Sequence, residues 1–287
     1  MKIRDLLKEK ESGVSFEFFP TKTEAGKESL LAAVSELKRY KPLYISMTCG
    51  AGGTGAWEKT EEMVYLLLKD KELVVMPHLT CANVTREEIT ALLERYLAAG
   101  VENIMALRGD PPRGVPDFEF KTQELRYGSD VVALIKGYGY FGIGVAVYPE
   151  GHLETKTLEE DLEYTKKKID QGADFAVTQM FFDNSYYYAM CERMKKKGIT
   201  IPVLPGILPL TDVAKVKQFA SICRATIPSP IEEAMERLAG KPEEMAKVGL
   251  EFTIKQCRDL IQHGARRIHF YTLNRLETMR TVLNAIL

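Results

Sequence analysis

VSFEFF at residues 14–19 is the first of eight short apolar runs along the chain, and these runs end in polar or ionisable residues. The other seven runs are LYISMTCG (43–50), LVVMPHLTC (73–81), ENIMALRGD (102–110), GIGVAVYPE (142–150), FAVTQMFF (175–182), IPVLPGILP (201–209) and RIHFYTLN (267–274). Stretches of helical periodicity separate them, so a strand–helix unit repeats eight times. The pattern predicts an α/β fold, a closed (βα)8 TIM barrel of parallel strands.

The length of the chain fits one such barrel. It has 287 residues, and these barrels typically use about 250 residues. We therefore expect a single domain over 1–287. Extra helical patterns lie between the seventh and eighth runs, near 211–223, 229–239 and 242–263. We expect these helices to extend the barrel wall rather than to form a second domain.

Local signals mark where the helices end and begin. Gly100, Gly172 and Gly264 each follow a helical pattern and precede an apolar run, which fits the left-handed position at a helix C-terminus. Thr85, with Glu88 three residues later, predicts a capping box.

Composition excludes several classes of protein. Lys plus Arg (39) and Asp plus Glu (40) give a formal net charge of -1, and the basic residues are scattered, which argues against a nucleic-acid partner. No apolar run approaches the roughly 18 residues of a membrane span, and the start of the chain is charged, so we expect a cytoplasmic protein. The five cysteines lack paired spacing, which favours free thiols; Cys49 and Cys81, at strand ends, are the two expected near the site.

Two long connections are candidates for a functional role, 110–130 after the fourth run and 210–266 between the seventh and eighth runs. The stretch 110–130 after the fourth run is long and contains three prolines, which suggests an ordered cover over the barrel mouth. GAGGTG at 50–55 resembles a phosphate-binding loop, but it lacks the GK[ST] ending and is weak evidence for one.

Polar residues at the ends of the apolar runs indicate an enzyme, because active sites of these barrels lie at the C-terminal ends of the strands. The residues at these ends are Glu17, Thr48, His78, Arg108, Asp110, Tyr148, Gln179, Asn274 and Arg275. This set is too polar for packing alone. A metal site built from His78, His152, Glu17 and Asp110 is not expected, since no metal-binding spacing such as HExxH is present.

Alternation in VSFEFF places Glu17 inside the barrel if the phenylalanines pack against the helices. Loss of hydration there would raise the pKa of the Glu17 carboxyl and suit it to general acid catalysis. The alternative is a buried ion pair with Arg108 or a lysine, which would lower that pKa.

The ALRGD motif at the end of the fourth run offers groups for a flat heterocycle. Arg108 can stack on a ring or bind phosphate, Gly109 allows a ligand close to the backbone, and Asp110 can accept paired N–H groups of an aminopyrimidine. Asp110 as a helix cap is equally compatible with the motif. Gln179 is both donor and acceptor, which suits a heterocycle better than a metal.

Seven motifs taken together resemble the methylenetetrahydrofolate reductase family. They are FEFFP, PHLTC, LRGDPP, YPEGH, TQMFFD, PGILP and FYTLNR, in this order from about residue 14 to 275. The resemblance implies a barrel that uses FAD to pass hydride from NAD(P)H, with NADH favoured, to 5,10-methylenetetrahydrofolate in a ping-pong reaction, giving 5-methyltetrahydrofolate.

The resemblance also implies roles for individual residues. Glu17 would be the acid that opens the five-membered ring of the folate, Asp110 would hold the pterin and tune the flavin, and Gln179 would bind the pterin. Phe219 and Arg275 match positions on the folate or nicotinamide side. The positions that match FAD contacts are Thr48, His78, Arg108, Gly109, Asp110, Tyr148, His152, Asp161 and Lys168.

The chain departs from the family at Cys49, where a tyrosine is frequent, and at Tyr164, where a smaller polar residue is usual near the adenine side of FAD. Two alternatives to the NAD(P)H-dependent enzyme remain open. One is a subunit fed electrons by a partner flavoprotein or iron–sulfur protein, and the other is a non-catalytic flavin- or folate-binding protein. Homo-oligomers of relatives make a homo-oligomer possible here.

Overall fold

The strands form one parallel barrel in the computed structural model, which describes residues 1–49, 57–110 and 124–287. The strands are β1 (Gly13–Phe18), β2 (Ile45–Met47), β3 (Val75–Thr80), β4 (Asn103–Leu107), β5 (Gly142–Val147), β6 (Phe175–Thr178), β7 (Val203–Leu204), β8 (Gly206–Ile207) and β9 (Arg267–Tyr271). Their spatial order is β7-β6-β5-β4-β3-β2-β1-β9-β8, and every pair is parallel. The predicted α/β barrel is confirmed.

The predicted seventh strand is split at Pro205, which explains why nine strands occupy eight positions. Proline has no N–H group to donate to the ladder, so β7 pairs only with β6, and β8 pairs with β9. The carbonyl of Pro205 still accepts the N–H of His269 at 2.9 Å. The ring therefore closes through this residue.

The first helix precedes β1, and the other helices follow strands and form the outer layer. They are α1 (Ile3–Glu9), α2 (Glu24–Leu37), α3 (Glu58–Leu67), α4 (Arg86–Ala98), α5 (Gly128–Gly137), α6 (Leu158–Asp170), α7 (Asn184–Lys196), α8 (Val213–Cys223), α9 (Ser229–Arg237), α10 (Pro242–Gln262) and α11 (Leu276–Ile286). Helices α8, α9 and α10 match the three predicted between the last two strands. The glycine-rich sequence at 50–55 and most of the expected cover at 110–130 lie outside the described residues.

The predicted helix boundaries are present. Gly100, Gly172 and Gly264 have φ values of +80°, +114° and +89°, as expected after a helix. Thr85 and Glu88 form the capping box of α4, with the Glu88 N–H donating to Thr85 Oγ1 at 3.2 Å.

The barrel has two apolar layers. Phe16 and Phe18 of β1 are fully buried on the outer face, among the residues that pack the helices against the strands. Inside the barrel, Ile3 and Leu7 of α1 pack in a second cluster with side chains from the strands. The backbone N–H of Ile3 donates to Asn103 Oδ1 at 2.7 Å. Helix α1 therefore closes the N-terminal end of the barrel and leaves the C-terminal end open.

In the part of the chain that the structure covers, every helix is too short or too polar to cross a membrane.

Candidate active site

Two adjoining cavities lie at the C-terminal ends of the strands. The larger has a volume of about 300 Å³ and the second about 230 Å³. They share a boundary formed by Leu107, Arg108, Ala146, Tyr148 and His152. An elongated ligand can therefore extend from one cavity into the other.

Glu17 lies in the larger cavity between two histidines. Its Oε2 is 3.3 Å from Nε2 of His78 and 3.6 Å from Nε2 of His269. Ser15 holds the other side of the His269 ring, with its Oγ 2.8 Å from Nδ1. Burial lowers the pKa of His78, although the nearby Glu17 opposes this shift. The carboxyl of Glu17 thus faces imidazoles rather than permanent cations.

The alternative ion pair between Glu17 and Arg108 is wrong, because Arg108 pairs with Glu154. Its Nη1 and Nη2 donate to the two carboxylate oxygens of Glu154, both at 2.6 Å. This charge-assisted pair raises the pKa of Arg108 and lowers the pKa of Glu154. Arg108 stands at the boundary of both cavities, so the pair lies where they meet.

Gly109 and Asp110 follow Arg108 at the rim of the larger cavity. Gly109 has φ +82°, and a Cβ there would lie 2.9 Å from Cβ of Thr80, so a side chain would meet both strain and crowding. Asp110 is exposed. The alternative role of Asp110 as a helix cap concerns residues directly after it, which lie outside the described residues. At the start of α5, Asp130 accepts the N–H groups of Arg126 and Tyr127.

The second cavity has a lysine in its wall. Lys168 Nζ donates to the carbonyl of Ala146 and lies 5.5 Å from the ring centroid of Tyr148. Burial lowers the pKa of Lys168 to about 8, although Asp161 nearby opposes this shift. Among the residues described, Lys168 forms no salt bridge, and its Nζ donates to a neutral carbonyl instead. It can therefore serve an anionic ligand.

Asp161 and His152 form a second polar contact in this cavity. Asp161 Oδ1 accepts the backbone N–H of His152 at 3.0 Å, and burial raises the pKa of Asp161. The ring of His152 meets the edge of Tyr148 with centroids 4.8 Å apart. Burial, together with Arg108, lowers the pKa of His152. Both cavity walls thus share an ordered loop after β5.

Comparison with known proteins now decides the family. Residues 2–286 match the family model for methylenetetrahydrofolate reductase. The chain belongs to this family. The resemblance inferred from the seven motifs is confirmed.

Two relatives match the same share of this chain but different shares of their own length. A 5,10-methylenetetrahydrofolate reductase of Pectobacterium carotovorum is 35% identical and covers 95% of this chain and 89% of its own length. For methylenetetrahydrofolate reductase (NADH) 1 of Arabidopsis thaliana the identity is also 35%, over 95% of this chain. The chain spans only about half, 48%, of that plant relative.

A solved structure shares the fold at low identity. It is a protein from Clostridium thermocellum that binds two copies of 5-methyl-5,6,7,8-tetrahydrofolic acid, with a TM-score of 0.61 and 13% identity. The match covers 100% of this chain and 98% of that one.

The structure brings most of the residues implied by the reductase resemblance to the two cavities. Those that line one or both are Glu17, His78, Arg108, Gly109, Asp110, Tyr148, His152, Asp161, Lys168, Gln179 and Phe219. Gln179 Oε1 accepts the N–H of Met180 at 2.9 Å, which orients its side chain. The roles of these residues remain predictions.

Of the residues implied by the reductase resemblance, Thr48 and Arg275 are the two outside both cavity linings. Thr48 is buried, its carbonyl accepts Thr60 Oγ1 at 2.8 Å, and its hydroxyl has no hydrogen-bond partner among the described residues. Arg275 donates to Thr211 Oγ1 at 3.0 Å and lies 3.3 Å from Asp212 Oδ2. Arg275 therefore anchors the start of α8.

The described part of the chain contains no metal site, and one cysteine lies at a cavity wall. Among the described residues, no group of three or more His, Cys, Asp or Glu could hold a metal ion. Cys49 and Cys81 are not part of either cavity lining, whereas Cys223 of α8 is. Burial raises the pKa of Cys81 and of Cys223 to about 12, which disfavours thiolate chemistry at neutral pH.

His269, Ser15 and Glu154 are site residues that the sequence reasoning missed. His269 and Ser15 could have been found from alternation, because they occupy the inward positions of RIHFY and VSFEFF. Glu154 lies in a loop without periodicity. Its pairing with Arg108 required the structure.

Proposed function

We propose that this chain reduces 5,10-methylenetetrahydrofolate to 5-methyltetrahydrofolate, with hydride passed from NADH through FAD. The observation that carries the proposal is the buried Glu17 in a cavity that continues into a second, lysine-lined cavity. Membership of the reductase family, and the fold shared with the folate-binding protein from Clostridium thermocellum, support a folate as the substrate.

The residues of the second cavity fit an anionic dinucleotide such as FAD. Lys168 supplies positive charge, and the N-terminus of α5 contributes Gly128 and Ser129 to the lining, where the helix dipole favours phosphate. Tyr127 and Tyr164 line the same cavity with rings stacked at 6.3 Å, so an aromatic face is present for an adenine. When bound, FAD supplies the acceptance and donation of hydride.

Glu17 is the proton donor in this proposal. Its Oε2 would protonate the folate nitrogen that leaves as the five-membered ring opens, so that the methylene carbon becomes an acceptor of hydride. The pKa of His78 is lowered, so its imidazole next to the carboxyl is favoured in the neutral form. Its orientation and that of His269 would fix the carboxyl toward the substrate.

Asp110 and Gln179 are the residues proposed to hold the pterin. Asp110 can accept two N–H donors of the aminopyrimidine ring, and Gln179 can donate and accept at the same ring system. Both line the larger cavity together with Phe219. A cavity of about 300 Å³ suits one ring system at a time, so nicotinamide and folate would enter in turn, which predicts ping-pong kinetics.

Steady-state turnover tests the proposal. Purified protein loaded with FAD is supplied with NADH and methylenetetrahydrofolate without oxygen, and 5-methyltetrahydrofolate is measured by mass spectrometry. We expect product in proportion to the NADH consumed. Product with a chemically reduced dye but none with NADH would identify an electron-donating partner protein instead. Absence of product with every donor would leave a flavin- or folate-binding protein and refute the reductase.

A further inference from the structure

The junction between α8 and α9, residues 224–226, is tied to the connection between β5 and α6. Arg224 Nη1 donates to the carbonyls of His152 and Thr155, both at 3.2 Å. In the other direction, the Glu150 carboxylate accepts the backbone N–H of Thr226 at 3.0 and 3.1 Å and also its hydroxyl. Hydrogen bonds made by side chains of both segments therefore join the α8–α9 junction to the β5–α6 connection.

Arg224 makes these contacts from an unfavourable backbone conformation. It lies immediately after α8 with φ +55° and ψ +34°, which is the left-handed region. Glycine adopts this conformation without strain at the end of a helix, whereas an L side chain does not. Local backbone preference thus favours glycine at position 224. Glycine at this position could not form the two hydrogen bonds that the Arg224 guanidinium donates.

The two sides of this connection lie in the walls of the two cavities, and His152 lines both. Phe219 and Cys223 of α8 line the larger cavity, and Cys223 directly precedes Arg224. His152 and Thr155, whose carbonyls Arg224 binds, line the second cavity. The Arg224 guanidinium is therefore a direct contact between the two walls.

We propose that Arg224 is a positioning residue that couples the cofactor cavity to the folate-side wall formed by α8. The inference rests on the proposed function, in which the second cavity holds FAD and the larger one the folate. Contacts of bound FAD with the loop at 152–155 would fix α8 through Arg224, and Phe219 would then be held in place for the substrate.

Hydrogen exchange followed by mass spectrometry tests the coupling without turnover. In the wild-type chain, we expect FAD to slow amide exchange in peptides from 213–223. In Arg224→Gly, we expect this FAD-dependent protection of α8 to be lost while peptides from 152–168 remain protected. Equal protection of α8 by FAD in both proteins would overturn the proposal.

Kinetics provides the second readout, with variants that separate backbone strain from the side chain. Arg224→Gly should raise the KM for methylenetetrahydrofolate by about three- to tenfold and change kcat by less than about twofold, while the melting temperature stays equal or rises as strain is relieved. Arg224→Lys should lower the KM part of the way back to the wild-type value. The control is Arg280→Ala, which removes an exposed arginine paired with Glu277 on α11 and should leave the KM unchanged. An unchanged KM in an active Arg224→Gly enzyme refutes the coupling, whereas an inactive wild type refutes the proposed function.

Discussion

At the residue scale, the central feature is a carboxyl held between imidazoles. Glu17 is 7% exposed and His78 is 8% exposed, so both contacts of Glu17 Oε2 lie in a medium with little water. A carboxyl in this position can transfer a proton to a ligand bound in the larger cavity. The neighbouring cation, Arg108, is engaged elsewhere by Glu154. The account therefore assigns proton transfer to one residue and orientation to its neighbours.

Glu17→Gln tests the proton transfer. The amide keeps the size of the side chain but cannot donate a carboxyl proton, so we expect folate reduction to fall by about 10²- to 10⁴-fold. Reduction of the bound flavin by NADH should change by less than about threefold, since it requires no proton from this residue. Rapid kinetics of the two half-reactions provides the comparison, and unchanged folate turnover would eliminate the acid role.

Lys168→Met tests this partly buried cation, because we expect opposite effects on stability and on FAD binding. Because the pKa of Lys168 in the folded chain, about 8, lies below its unfolded value, charging it costs stability, and the cost is complete below pH 8. At pH 7 we expect the cofactor-free variant to be more stable by on the order of 1 kcal/mol. The gain should shrink as pH rises above 8.

The same variant should bind FAD about tenfold more weakly, because a phosphate loses its charged donor. Denaturant unfolding and fluorescence titration measure the two effects. Lys166→Met is the matched control, since Lys166 is paired with Asp170 on the outer face of α6. Tighter or unchanged FAD binding in Lys168→Met would refute the cofactor role.

His78 makes stability depend on pH. Its pKa in the folded chain is lowered, so the unfolded chain takes up more protons as pH falls below about 6.5. The wild-type free energy of unfolding should therefore decrease in acid, by up to about 1.4 kcal/mol per pH unit from this group. His78→Gln should show a shallower decrease in urea unfolding between pH 7 and 5, and the exposed His263→Gln should not. Parallel curves for wild type and His78→Gln would contradict this assignment.

At the element scale, α10 packs closely against Leu210, which follows β8, through Gly249 and Thr253. The N–H of Leu210 donates to Thr253 Oγ1 at 3.2 Å, and this hydroxyl donates to the Gly249 carbonyl at 2.9 Å. A Cβ on Gly249 would lie 1.7 Å from the carbonyl oxygen of Leu210. The helix can approach the strand this closely only without a side chain at that position.

Gly249→Ala should therefore destabilise the protein by about 3 kcal/mol or more, since backbone atoms would have to move. Gly137→Ala is the matched control at the end of α5, where a Cβ has no neighbour within 4 Å. It should stabilise the chain by about 0.4 to 1 kcal/mol. Thermal unfolding of both variants tests the contact, and equal melting temperatures would contradict it.

The elements differ in how far sequence alone reveals them. Periodicity located all eight strand positions and the helices α8, α9 and α10, because their apolar faces are continuous. The break at Pro205 follows from a missing N–H group, yet the ring closure around it depends on His269, which is distant in sequence. Alternation placed Glu17 inside the barrel, but its two imidazole neighbours come from β3 and β9. Such contacts between distant strands are not encoded by local spacing.

At the scale of the whole molecule, the barrel is closed at one end and open at the other. Helix α1 fills the N-terminal end, and the two cavities share the opposite end with α8 and the loop after β5. The family model confirms the family that the ordered motifs indicated. Seven short matches at barrel spacing are stronger evidence than any single match. The position of Arg275 at the start of α8 and the Arg108–Glu154 pair could be learned only from three-dimensional contacts.

The most direct test of the central claim is anaerobic stopped-flow absorbance of the FAD-loaded protein in the flavin band. The protein is mixed first with NADH and then with methylenetetrahydrofolate. The account predicts bleaching by NADH and recovery of the band on addition of the folate, with both steps on this one chain. No bleaching by NADH, together with no recovery by the folate after chemical reduction of the flavin, would contradict it.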